Sequence, residues 1–177
     1  MTKHETVKIE WLANKIVGRL LNLHKLTGRS LKLATAESCT GGLLGGALTM
    51  VPKSSAFYNG GIIAYSNEIK MKLLNVSAAT LEKHGAVSFE TAKEMAVGAA
   101  LNMGGHVAVS VTGIAGPGGG TLQKPVGLVF FGIHAAGIGT LAFQRFFKGS
   151  RTSIRNQAVI FALDEILKIV HEVDKKI

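Results

Sequence analysis

Residues 31–51 join a short apolar run to a small-residue segment through a junction that contains glycine. The run LKLAT comes first, the stretch ATAESCTGG overlaps its end, and GGLLGGALTMV continues from the glycine pair. The first run is short and apolar, as in a buried strand, whereas the last segment favours a helix. The pattern predicts a strand-to-helix turn that contains Ser38. Catalytic side chains and phosphate-binding amides are often found at such turns.

The rest of the chain repeats this alternation of helical and strand patterns, which predicts a layered α/β domain with a mixed sheet. The predicted helices are 5–26 with Gly28 as its stop, Thr40–Met50, one capped by Ser66 or Asn67 and ending at Leu74, two capped by Ser77 and Ser88, and Ser150–Val173. The predicted strands are Leu31–Ala36, Gly60–Tyr65, His106–Val111, and a hairpin of Val126–His134 and Gly139–Phe147. Loops are predicted at Pro52–Asn59 and Thr112–Pro125.

Composition narrows the class of protein. A chain of 177 residues suits one domain over residues 1–177, no apolar run reaches the roughly 18 residues of a membrane span, and the N-terminus lacks a signal-peptide core. The single cysteine excludes an internal disulfide, so we expect a cytoplasmic protein. The net charge of +9 favours anionic partners. The basic residues are dispersed and aromatic residues make up 6%, which argues against a dedicated nucleic-acid reader.

Ser38 has two interpretations. As a nucleophile, it would use the backbone amides of Thr40, Gly41 and Gly42 at the start of the following helix to stabilise an oxyanion or a phosphate. Alternatively, Ser38 only caps that helix. Cys39 is a rival nucleophile, but a free cysteine usually packs inward, and neighbouring residues in such a turn point in different directions.

A serine nucleophile needs a base, and Lys70 in the segment YSNEIK is the best-placed candidate. The six histidines are dispersed and form no triad order, and the motif S-x-x-K is absent. Lys70 follows a predicted strand, in the first turn of a short helix, where the helix dipole disfavours the protonated amine. Burial would lower its pKa further, and a neutral lysine can deprotonate serine. The alternative is a solvated Lys70 paired with Glu68 or another nearby acid.

The loop Thr112–Pro125 contains GIAGPGGG, whose glycines allow backbone amides to approach a ligand closely. It matches neither a dinucleotide fingerprint nor a P-loop. With Lys124 at its end, it predicts either an anion or ribose-phosphate site, or a flexible loop without a ligand. No cysteine or histidine pair has metal-ligand spacing, and no carboxylate cluster occurs, so no metal site is predicted.

Four segments together, TAESCTGG, SSAFYNGGIIAYSNEIK, HGAVS and VTGIAGPGGGTLQKPVG, resemble the C-terminal domain of the competence/damage-inducible protein CinA, which also occurs as a stand-alone nicotinamide-nucleotide amidase. The similarity runs from about residue 5 to 172. It implies a three-layer α/β/α fold, a homo-oligomer, and the deamidation of nicotinamide mononucleotide (NMN) to nicotinate mononucleotide and ammonia without a cofactor. From the length of the chain, we expect it to lack the molybdopterin-binding-like domain that precedes this one in longer family members.

The resemblance assigns the nucleophile to Ser38 and the base to Lys70, and it places Tyr65 beside them. Thr112 and Gly113 match the second glycine-rich motif, which faces the substrate in the family. The family often has G-D-R before the last helix, whereas this chain has KGSR, with Ser150 in place of the acid and Arg151 retained. The expected substrate-binding residues are Thr40, Gly41, Gly42, Asn67, Thr112, Gly113, Gly116, Gly118, Lys124 and Arg151.

Two functions therefore remain open. The first is an amidohydrolase in which neutral Lys70 activates Ser38. The second is a non-catalytic nucleotide-binding module with a regulatory role related to competence or DNA damage. Only the enzyme requires Ser38 and Lys70 within hydrogen-bond reach, about 2.6–3.2 Å.

Overall fold

The computed structural model describes residues 2–175, so residues 1, 176 and 177 of the predicted domain lie outside the described part. The helices are α1 (Lys3–Thr27), α2 (Leu43–Thr49), α3 (Asn67–Leu74), α4 (Ala78–His84), α5 (Phe89–Met103) and α6 (Arg151–Lys175), with a short 3₁₀ helix at Ser54–Ala56. The strands are β1 (Leu33–Glu37), β2 (Tyr58–Ile63), β3 (Val107–Gly113), β4 (Leu128–Ala135) and β5 (Gly139–Phe146).

The five strands form one mixed sheet in the order β2-β1-β3-β4-β5. β1 pairs in parallel with both β2 and β3, whereas β4 and β5 continue the sheet as an antiparallel hairpin. All five residues of β1 are buried, as expected for a central parallel strand covered on both faces. Helices α1, α2 and α6 cover one face of the sheet and α3, α4 and α5 cover the other. The three-layer α/β/α prediction is confirmed.

The first long helix and the capping serines agree closely with the sequence-based predictions. Every third or fourth residue of α1 is buried, and Gly28 ends the helix in the left-handed conformation with φ 72°. Ser66, rather than Asn67, caps α3 by accepting the amide hydrogen of Ile69. Ser77 and Ser88 cap α4 and α5 in the same way. Helix starts that depend on a local side-chain bond were thus visible in the sequence.

Helix α2 corrects one prediction. We expected it to begin at Thr40, but it begins at Leu43, because Gly41 and Gly42 adopt positive φ angles of 58° and 93° that a right-handed helix excludes. The amides of Gly42, Leu44 and Gly45 donate to Glu37, and the Ser38 hydroxyl accepts none of them, so the interpretation of Ser38 as the cap of α2 is wrong. Smaller shifts occur elsewhere: β2 begins at Tyr58, inside the predicted loop, and β4 begins two residues late.

Helices α3 and α5 approach each other closely at Gly98. A Cβ atom at this position would overlap the backbone carbonyl of Leu74, the last residue of α3. Gly98 is itself buried within α5. The position of α3, and of the Lys70 side chain that it carries, therefore depends on the absence of a side chain in the neighbouring helix.

We predict that Gly98→Ala lowers the free energy of unfolding by about 1–3 kcal/mol, because the overlap forces the two helices apart. Urea denaturation measures the change. Gly18→Ala is the matched control, since Gly18 lies inside α1 with no atom near its missing Cβ, and alanine there should stabilise the protein by roughly 0.5–1 kcal/mol. Equal stabilities of the wild type and Gly98→Ala would contradict this packing argument.

Candidate active site

The candidate site lies where the parallel strands end. Ser38 directly follows β1, and its amide donates to the carbonyl of Val111 in β3 at 2.9 Å. On the other side of β1, the amide of Ala64, just after β2, donates to the carbonyl of Glu37 at 2.8 Å. The chain leaves β1 over one face of the sheet and leaves β2 over the other. Such a switch point opens a crevice at the carboxyl ends of the strands, the usual ligand site in α/β sheets.

Lys70 is buried at this switch point, with only 1% of its surface exposed. Its Nζ lies 3.2 Å from Ser38 Oγ and donates to the backbone carbonyls of Ala64 at 2.8 Å and Tyr65 at 3.3 Å. No ion pair to Lys70 is present within residues 2–175. The alternative of a solvated lysine paired with Glu68 is wrong, because the side chain points inward from α3 and meets the turn after β1.

A neutral Lys70 side chain can satisfy all three of these contacts. The two carbonyls accept hydrogen bonds and cannot donate them, so each requires an N–H from Lys70. A neutral amine has two N–H bonds and one lone pair, which leaves the lone pair for the Ser38 hydroxyl hydrogen. Burial lowers the pKa of Lys70, and the nearby Cys39 partly opposes this change. The geometry can therefore hold a neutral lysine hydrogen-bonded to a serine hydroxyl.

Cys39 faces the core rather than the crevice. Only 6% of its surface is exposed, and it packs in the cluster formed between the sheet and helices α1, α2 and α6. Burial raises the pKa of its thiol to about 12. The sequence-based expectation of an inward-packed Cys39 is confirmed, and the thiol is protonated at neutral pH.

Residues 39–42 form a tight turn whose amides are used differently from our expectation. The amide of Gly41 donates to the carbonyl of Ser38 at 3.2 Å, and that of Gly42 donates to a carboxylate oxygen of Glu37 at 2.9 Å. These two amides are therefore not free to hold an oxyanion in this conformation. Among the described residues, the amides of Cys39 and Thr40 have no acceptor, and the buried hydroxyl of Thr40 has no hydrogen-bond partner.

Arg151 links two sides of the crevice. Its guanidinium donates to the Gly116 carbonyl at 2.7 Å and to the Tyr65 hydroxyl at 3.2 Å, so it joins the glycine-rich loop to the segment after β2. Arg155, one helical turn further along α6, donates to the Thr40 carbonyl at 2.7 Å. The start of α6 thus presents two guanidinium groups to the rim of the site.

The other predicted binding residues lie at the end of β3, in the glycine-rich loop that follows it and at the start of α3, and several have structural partners. The hydroxyl of Thr112 donates to the Ala86 carbonyl at 2.7 Å, and Lys124 Nζ donates to the His84 carbonyl at 2.7 Å. Gly113 has no room for a side chain because β4 lies against it, whereas Gly118 faces open space. Asn67 is exposed at the start of α3. The bond made by Lys124 secures the glycine-rich loop to the end of α4.

Sequence reasoning missed Glu37 and Arg155. Glu37 is buried and accepts three backbone hydrogen bonds at the start of α2. The available signal was its place directly before Ser38 at a strand end. For Arg155, the signal was its spacing of four residues from Arg151, which places both side chains on one face of a helix.

Two further features, a metal site and a membrane-spanning helix, are absent from the described residues. No group of three or more His, Cys, Asp or Glu side chains is arranged to hold a metal ion. None of the described helices combines the length and the hydrophobicity that a membrane crossing requires.

Comparisons with known proteins place the chain in a family. The family model of the CinA C-terminal domain matches residues 18–170. A CinA-like protein from Leptospira borgpetersenii is 49% identical over 146 residues, which are 81% of this chain and 35% of that protein. The chain spans about a third of the length of the curated relatives it matches.

Solved structures agree with the sequence matches. The crystal structure of the competence/damage-inducible protein CihA from Agrobacterium tumefaciens has a TM-score of 0.85 and 43% identity, over 93% of this chain and 96% of that one. A CinA superfamily protein from Escherichia coli has a TM-score of 0.84 and 36% identity, over 96% of this chain and 93% of that one.

We predict that native Cys39 reacts slowly with iodoacetamide. A thiol with a pKa of about 12 is ionised in about one molecule in ten thousand at pH 8, and burial blocks access to it. Mass spectrometry should show alkylation at least about a hundredfold slower in the native protein than in urea. Rapid stoichiometric labelling of the native protein would show that Cys39 faces solvent.

Proposed function

Because the chain belongs to the CinA C-terminal domain family, we propose that it is an amidohydrolase that converts NMN to nicotinate mononucleotide and ammonia, with Ser38 as nucleophile and Lys70 as base. The observation that carries this proposal is the buried Lys70 Nζ at 3.2 Å from Ser38 Oγ, with two backbone carbonyls as its other partners. The geometry supports the reaction type. The choice of NMN rests on the resemblance of the four motif segments to nicotinamide-nucleotide amidases.

The first half-reaction forms an ester. The lone pair of Lys70 Nζ takes the hydroxyl proton while Ser38 Oγ forms a bond to the carboxamide carbon, and the carbonyl π electrons move to oxygen. The amide of Thr40, which has no acceptor among the described residues, is the donor we assign to that oxyanion. The Lys70 ammonium then gives its proton to the amide nitrogen, the carbon–nitrogen bond breaks, and ammonia leaves.

The second half-reaction restores the serine. Neutral Lys70 takes a proton from water as the water oxygen attacks the ester carbon. The tetrahedral intermediate collapses, the bond from carbon to Ser38 Oγ breaks, and the proton on Lys70 returns to Oγ. Nicotinate mononucleotide is released, and both side chains are back in their starting states.

Arg151 is the best-placed group for the substrate phosphate. Its side chain is exposed at the rim and already contacts Tyr65 and Gly116. Lys124, the other candidate, donates to the His84 carbonyl, so its role at the phosphate is secondary. A planar guanidinium suits a phosphate because it can donate two parallel hydrogen bonds.

We expect Ser38→Ala and Lys70→Ala each to remove nearly all NMN deamidation, measured as ammonia release, while circular dichroism shows a folded protein. Cys39→Ala should keep most of the activity, because the thiol is buried and protonated. Activity in Ser38→Ala, or loss of activity in a folded Cys39→Ala, would show that Ser38 is not the nucleophile.

The pH dependence tests the role of Lys70. Burial lowers its pKa from the usual value, so the neutral fraction grows as the pH rises, and kcat/KM should rise with pH and then level off. Lys70→Arg should bind NMN but turn it over hardly at all at any pH, because arginine stays protonated. Substantial turnover by the arginine variant would mean that Lys70 acts only as a fixed charge.

A second substrate tests the phosphate assignment. Nicotinamide riboside lacks the phosphate, so its kcat/KM should fall at least about tenfold below that of NMN, the size of one lost charge-assisted hydrogen bond. Arg151→Ala should narrow this difference, mainly through the KM for NMN. Equal kcat/KM values for both substrates in the wild type would show that the enzyme does not recognise the phosphate.

The non-catalytic nucleotide-binding module remains the alternative outcome. Isothermal titration that shows NMN binding, together with the absence of ammonia release, would favour it. The cytoplasmic location and the homo-oligomeric state stay predictions.

A further inference from the structure

We propose that Glu37 is a positioning residue for the nucleophile: its carboxylate folds the turn that orients Ser38 toward Lys70. This role rests on the proposed function. Glu37 is buried, with 2% of its surface exposed. One carboxylate oxygen accepts the amides of Gly42 at 2.9 Å and Leu44 at 3.1 Å, and the other accepts that of Gly45 at 2.8 Å.

The main chain of Glu37 is held as firmly as its side chain. It ends β1 opposite Ile63 of β2 and Val111 of β3, and its carbonyl accepts the amide of Ala64 at 2.8 Å. Ser38 is the next residue, and its own amide is bonded to β3. One residue therefore secures the sheet through its backbone and the start of α2 through its carboxylate, with Ser38 between the two anchors.

The carboxylate also decides which amides face the crevice. The first turn of a helix offers unpaired N–H groups that attract anions, and here Glu37 occupies three of them. The positive φ angles of Gly41 and Gly42 bend the chain back so that these amides reach the carboxylate. The amides of Cys39 and Thr40, the two residues directly after the nucleophile, have no acceptor among the described residues.

Glu94 provides a matched control within the same chain. Its carboxylate also accepts a backbone amide beside a helix start, that of Ser77 at 2.8 Å, and it accepts the hydroxyl of Thr80 at 2.6 Å. It lies in α5 and serves α4, not the turn after β1. Glu94→Gln therefore removes a comparable carboxylate without touching the turn that carries Ser38.

The experiment measures the reactivity of Ser38 without using NMN. Phenylmethylsulfonyl fluoride sulfonylates an activated serine with loss of fluoride, and peptide mass spectrometry gives the rate at Ser38, with Ser38→Ala as the blank. Glu37→Gln keeps the shape but replaces one acceptor oxygen by a donor NH₂, so at least one of the three amides loses its acceptor. We expect labelling to slow about tenfold or more, since a small misplacement of a reacting group lowers rates by one to two orders of magnitude.

Glu37→Ala should slow labelling further, and Glu94→Gln should label at the wild-type rate. With NMN, Glu37→Gln should lower kcat by a similar factor and leave KM within about twofold, because the substrate rim is untouched. A folded Glu37→Gln that labels at the wild-type rate, an equal loss in Glu94→Gln, or a wild type that is not labelled at Ser38 would each overturn the proposal.

Amide hydrogen exchange of the wild type keeps the test decisive if the Glu37 variants fail to fold. The amides of Gly42, Leu44 and Gly45 should exchange slowly, as bonded donors do, and rapid exchange at all three would overturn the proposal. The two proposals fail separately. Wild-type labelling that depends on Glu37, without ammonia release from NMN, would reject the amidase and keep the positioning role.

Discussion

The candidate site is built around one buried amine, that of Lys70. Lys70 enters the interior without an ion-pair partner among the described residues, and an unpaired ammonium is unfavourable in such surroundings. The fold supplies two carbonyls and one hydroxyl in place of a carboxylate. A neutral amine can satisfy that set with its two N–H bonds and its lone pair, and burial lowers the pKa of Lys70, so the same contacts suit the lysine to accept a proton.

The architecture brings these groups together from separate parts of the chain. Ser38 comes from the end of β1, the carbonyls come from the segment after β2, and the amine comes from α3. Parallel pairing of β1 with β2 aligns the two strand ends, so the serine and the carbonyls meet at one edge of the sheet. Helix α5 then fixes the distance between itself and α3 through the close approach at Gly98.

The sequence predicted the layers, the mixed sheet and most helix caps, because periodicity and capping are local properties. It also named Ser38 and Lys70, but it left each with a structural alternative that only the tertiary contacts exclude. The predicted start of α2 was wrong because the sequence does not show whether a pair of glycines adopts helical or positive φ angles. Glu37 was missed for a related reason: a glutamate beside a helix is usually solvated, and its burial became visible only when the turn was seen folding back on it.

The bridge made by Arg151 lies at the rim of the site, whereas Ser38 and Lys70 are buried. The serine and the lysine rest on a buried strand and a packed helix, whereas the rim is held by single hydrogen bonds from a side chain to Tyr65 and Gly116. Tyr65 contacts both parts, because its hydroxyl accepts from Arg151 and its backbone carbonyl accepts from Lys70. The KGSR segment, where this chain departs from the family pattern, lies next to that bridge. Under the proposed function, side chains at the rim can differ without removing the buried contact between Ser38 and Lys70 that the reaction requires.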